Sequence, residues 1–113
     1  MKLWVDDVRP APEGYVWCSS VNEAIAVIKG CEGRKAWRDR TGTPHYREVE
    51  EIDLIDIDHD AGDFACDGGD YIRLLDWLEE TGRNYPIRIH SMNVVGRQNM
   101  EAICRRNGWK IVY

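Results

Sequence analysis

The sequence predicts an open α/β sheet of five mostly parallel strands, and two observations carry that prediction. From Ile52 onward, short apolar runs alternate with helical periodicities and short links, the pattern of parallel strands joined by helical crossovers. Every chemically unusual group also directly follows a run that reads as a strand: Asp6-Asp7, then Asp58-His59-Asp60, then His90-Ser91 with Asn93. Ligands of open α/β sheets bind outside the carboxyl ends of the strands. A site at that edge is the expectation.

The elements follow in order. "KLWV" is an apolar strand that stops at Asp6-Asp7, and "VRPAPEG" is a loop because its prolines and glycine break a helix. "YVWC" is a second strand. Ser19 or Ser20 caps a helix with Glu23 placed for a capping box, and Ala24, Ile25, Val27 and Ile28 form its apolar stripe up to a stop at Gly30. Between residues 31 and 50 the composition turns basic and aromatic. Arg34, Lys35, Arg38, Arg40 and Arg47 cluster with Trp37, Tyr46 and the turn "TGTP". That insertion reads as a hairpin or a lid, against the plainer reading of a solvated loop. "IDLIDID" is the third strand. "GDYIRLLDWLEET" is a helix whose Ile72, Leu75 and Leu78 share a face and which Gly82 stops. "PIRIHS" is the fourth strand, "GRQNMEAICRR" a helix ended by Asn107-Gly108, and "WKIVY" the last strand.

Composition bounds the function. The 113 residues, 43% apolar and 31% charged, suit one soluble domain spanning 1–113. A net charge of −5 lacks the basic face that bulk nucleic-acid binding needs. No apolar run approaches the ~18 residues of a membrane span, and "MKLWVDDVRP" turns acidic too early for a signal peptide. A cytoplasmic protein is expected, with no membrane partner. Cys18, Cys31, Cys66 and Cys104 form no C-x-x-C pair and read as free thiols. A zinc site from Cys66, His59 and His90 has no support in their spacing.

Carboxylates gathered at three strand ends repel one another unless a cation joins them. Oxygen ligands favour Mg²⁺ or Mn²⁺, and the nearby histidines also suit a softer ion such as Zn²⁺. Each residue has a plainer reading too. Asp6 and Asp7 can cap the following turn, and Asp60 can form an Asx-turn into Gly62. His90 can be a packed strand histidine bonded to a carboxylate, and Arg97 an exposed helix charge.

The order of these groups resembles the receiver domains of response regulators. That family has an acidic pair after its first strand, matched by Asp6 and Asp7. A phospho-accepting aspartate after its third strand is matched by Asp58, and a Ser/Thr after its fourth by Ser91. The family's lysine after the last strand has no match, since Lys110 precedes "IVY", and the first crossover helix is reduced to the proline loop. The stretches "WVDDVRPAPEGYVW", "IDHDAGD" and "HSMNVVGRQNM" resemble a divergent branch, the cyclic-phosphate-processing receiver-like domains. The resemblance implies a flavodoxin-like, three-layer sandwich and the processing of a small cyclic-phosphate or phosphorylated ligand. Phosphoacceptance at Asp58 is disfavoured by the missing lysine.

For hydrolysis of a cyclic phosphodiester, Asp6, Asp7 and Asp58 are the expected metal ligands. His59, His90 and Asp60 are the candidate catalytic groups, and Arg9, Ser91, Asn93 and Arg97 the candidate phosphate contacts. A non-catalytic sensor of a phosphorylated ligand or partner is the alternative.

Overall fold

A computed structural model of the chain describes residues 1–32, 35–47 and 51–113. Its strands are β1 (Lys2–Val5), β2 (Tyr15–Cys18), β3 (Lys35–Arg38), β4 (Pro44–Arg47), β5 (Leu54–Ile57) and β6 (Ile87–Ile89). Its helices are α1 (Val21–Glu32), α2 (Ile72–Glu80) and α3 (Val94–Asn107). A wholly parallel sheet runs β2-β1-β5-β6, and β3 and β4 form a separate antiparallel hairpin around Thr41-Gly42-Thr43. The architecture is receiver-like: a parallel sheet of four strands with three helices.

Two expectations about the sheet and its layers need correction. The fifth strand over "WKIVY" shrinks to one parallel bridge, Ile111 beside Ile87. Ile87 donates its N–H to the Lys110 carbonyl (2.9 Å) and accepts from Val112 N–H (2.8 Å). β6 is itself only three residues long, so it offers a short edge for a further strand. The sandwich also lacks a third layer among the described residues. Buried residues of α1, α2 and α3 all join one cluster with Leu3, Val5, Ile55, Ile57, Ile87 and Ile89. Alternation along a strand puts those odd-numbered positions on one face. Residues 6–14 join β1 to β2 without a helix on the other face. Trp4, Asp56 and Arg88 lie side by side there, in register.

The helices are held as their sequences dictate. Ser20 caps α1: its Oγ accepts from Glu23 N–H (3.0 Å), while Glu23 Oε2 accepts from Ser19 N–H (3.2 Å). Gly30 does not end the helix, which continues to Glu32. A glycine costs ~1 kcal/mol against alanine there. The last turn is secured by Arg83 and Tyr85, both bonded to the Glu32 carboxylate. Leu74, Leu75 and Leu78 of α2 are fully buried, each worth about 1.5–3 kcal/mol of burial. α3 opens on Asn93, whose Oδ1 accepts from Gly96 N–H (2.9 Å), and closes at Gly108. None of the four cysteines is in a disulfide, and burial pushes the Cys18 thiol up to about 12. No helix among the described residues is long and apolar enough to cross a membrane. The reading of the insertion as a cationic lid rests on Arg34 and on the side chains of Lys35, Trp37, Tyr46 and Arg47, which lie outside the described residues.

Candidate functional site

β1, β5 and β6 end side by side, so the residues after them meet at one edge. Asp6 and His90 continue the helix-free face of Trp4 and Arg88. Asp58 follows Asp56 in the same way.

Asp6 is fully buried. Its Oδ1 accepts the backbone N–H groups of Val8 and Arg9 (3.0 Å each), which makes the cap of the plainer reading. Its Oδ2 faces His90 Nε2 at 2.8 Å. Burial works against ionisation of Asp6, but the Arg9 N–H, the His90 ring and the Val8 N–H outweigh it and hold the carboxyl below its ordinary value. Asp6 is thus both a cap and a member of the cluster.

His90 bridges two buried carboxylates. Nδ1 lies 2.6 Å from Asp56 Oδ1, and Trp4 stacks on the ring at 3.9 Å between centroids and 3° between planes. Burial disfavours the imidazolium, yet the bonds to Asp56 and Asp6 prevail and raise the pKa. Arg88 Nη1 approaches Asp56 Oδ2 at 3.3 Å. Asp56, Trp4 and Arg88 were not among the residues expected at the site. A carboxylate inside the apolar run "LIDI" was the available signal, because a charge buried in a strand requires a partner.

One ligand atom each from Asp6, Asp58 and His90 lies within 4.8 Å of the others, a group able to hold a metal ion. The donor set, two carboxylates and an imidazole, fits a divalent cation. Asp7 stands beside this group. Its pKa is raised by burial and by the charges of Asp6 and Asp58. Gly62 explains how Asp7 fits: its φ is +55°, and a Cβ there would lie 2.5 Å from Asp7 Oδ2. The same three aspartates, after burial itself, raise the pKa of buried Tyr71, whose hydroxyl donates to the Ser19 carbonyl (2.7 Å).

The remaining candidates surround the group. Asp58 Oδ1 accepts from His59 N–H (2.8 Å). His59 Nδ1 lies 2.8 Å from Asp60 Oδ1 and 3.4 Å from Asn93 Nδ2. Nδ1 carries one proton at most, and the shorter contact to a carboxylate claims it. Asp60 therefore serves His59. The His59 ring lies flat against Gly96 of α3, where a Cβ would come within 2.5 Å of His59 Cγ. Arg9 Nη1 reaches the His90 carbonyl (3.3 Å). Ser91 is buried, and its Oγ accepts from Asn93 N–H (3.1 Å), while its own proton has no acceptor among the described residues. Arg97 is tied to Glu101 (3.2 Å) in a half-buried pair along α3, so it is not the exposed helix charge of the plainer reading.

The model of the cyclic-phosphate processing receiver domain matches residues 1–106. The chain belongs to that family. No curated protein and no solved structure is significantly similar to it. In this cyclic-phosphate processing receiver domain, the acidic pair, the Asp-His-Asp run and the His-Ser-x-Asn run are thus brought to one edge by three parallel strands.

Proposed function

We propose that this chain is a metal-dependent phosphoesterase, or a related enzyme, that processes a small cyclic phosphate or nucleotide at the carboxyl edge of its sheet. The convergence of Asp6, Asp58 and His90, in a member of the cyclic-phosphate processing receiver family, carries the reading. Asp6 and Asp58 hold Mg²⁺ or Mn²⁺, with Asp7 adding a ligand directly or through water. Zn²⁺ suits a carboxylate-rich set less well. Such a cation supplies positive charge to phosphoryl oxygens and lowers the pKa of a bound water.

The chain's own groups complete the chemistry. His59, with its Nδ1 proton held by Asp60, presents Nε2 as an acid or base, and His90 offers Nε2 beside Asp6. The Ser91 proton, Asn93, Arg9 and the amino end of α3 bind phosphoryl oxygens. Arg97 joins them only by leaving Glu101.

The test is a screen of metal-free protein against 2′,3′- and 3′,5′-cyclic nucleotides, with and without Mn²⁺ or Mg²⁺. Turnover is expected only with the cation. Asp58→Asn should abolish it, while His59→Ala and His90→Gln each lower it by ~10²-fold or more. Full activity in both histidine variants would make those residues structural. A second reading, a non-catalytic sensor of a phosphorylated ligand, is favoured by the commitment of both His90 nitrogens to carboxylates. Saturable binding of a cyclic phosphate without turnover would select it.

A further inference from the structure

We propose that Asp56 is the positioning residue of this edge: it holds His90 through Nδ1 and so turns Nε2 towards Asp6 and Asp58. The inference rests on His90 acting at the edge, as proposed above. Asp56 is fully buried in the interior of β5. Burying a carboxylate is strongly unfavourable unless it is paired and hydrogen-bonded. Arg88 meets that need only in part, because its side chain is 46% exposed and its contact is 3.3 Å. The 2.6 Å bond to His90 Nδ1 is the closer one.

The geometry leaves the ring one useful orientation. Trp4, parallel to it at 3.9 Å, fixes the ring plane. Within that plane, a half-turn about χ2 exchanges Nδ1 with Cδ2 and Nε2 with Cε1. Both carboxylates would then face C–H groups. Asp56, the closer of the two carboxylates, is therefore the stronger contact holding the orientation in which Nε2 meets Asp6. An orienting carboxylate of this kind, on the far nitrogen of a working histidine, is typically worth ~10–100-fold in metal affinity or activity.

The test uses the full chain with ¹⁵N-labelled histidine, first with chelator and without phosphate. The wild type should show a downfield His90 Nδ1–H proton resonance protected from exchange. Asp56→Ala should lose it, Asp56→Asn should shift it upfield, and Arg88→Gln should keep it. Asp56→Asn, close in shape to the native residue, carries the readout if Asp56→Ala does not fold. An unchanged resonance in the Asp56 variants overturns the proposal. Mn²⁺ is then titrated into the wild type, and at saturating Mn²⁺ Asp56→Asn should turn over the cyclic nucleotide found in the screen ~10–100-fold more slowly than the wild type. Equal turnover with the resonance altered also overturns it, since Asp56 would then stabilise without positioning. A wild type that binds no Mn²⁺ counts against the metal-dependent function, while the Nδ1–H resonance still decides whether Asp56 orients His90.

Discussion

His90 stands between Asp56 and Asp6 with a nitrogen on each, so its charge is coupled to folding. Its folded pKa is raised above the ordinary 6.5. The resulting stability is fully present below 6.5 and is lost as pH rises through the raised folded value. Asp6 has the opposite sign. Its folded pKa lies below 3.8, so its contribution is present above 3.8 and is lost as pH falls through the lowered value. In chelator, thermal melts of the wild type should therefore show a falling Tm above about pH 6.5, and His90→Gln should flatten that dependence. A wild-type Tm that rises over this range would contradict an imidazolium held by two carboxylates. His90→Ala suits the measurement less well, because it leaves two buried carboxylates without their bridge, a loss of about 3–5 kcal/mol.

Helix α3 acts on the site through its backbone. Gly96 lets the helix pass against the His59 ring, so Gly96→Ala pits a gain in helix propensity of ~1 kcal/mol against displacement of that ring. Circular dichroism should show an intact fold while turnover falls as far as in His59→Ala. Unchanged turnover would mean that the ring's seat on α3 has no part in the chemistry. Much at this scale was legible in sequence. "KLWV", "YVWC" and "LIDI" are mainly apolar tetrads that stop at charges or caps, and S-V-N-E spells the cap of α1. The one-sided sheet was not read from the sequence, because the three-layer expectation followed the resemblance, although "IRIH" alternates apolar and polar residues where a strand buried on both faces is apolar throughout. The pairing of Asp56 with His90 was not legible. It depends on β5 and β6 lying adjacent and in register, which neither segment's local pattern determines. The last strand failed for a related reason: "WKIVY" has strand propensity, but its pairing is decided by how much edge β6 offers.

Across the molecule, a cation bound by Asp6 and Asp58 would favour the folded state alone, because only folding brings those residues together. At 100 times Kd it adds ~2.7 kcal/mol. Mn²⁺ should accordingly raise the Tm of the wild type by several degrees and leave that of Asp58→Asn where it was. Equal shifts in the two proteins would place the ion elsewhere. The same geometry bears on how the chain is made. Asp6 and His90 are 84 residues apart and meet only across the assembled sheet. Synthesis proceeds from the amino end, so a ribosome releases the whole acidic set, Asp6, Asp7, Asp56 and Asp58, before the imidazole that bridges it. Until β6 emerges, the growing chain holds like charges with no bridge between them. Assembly of the edge is therefore a late event in biosynthesis, completed when the fourth strand docks.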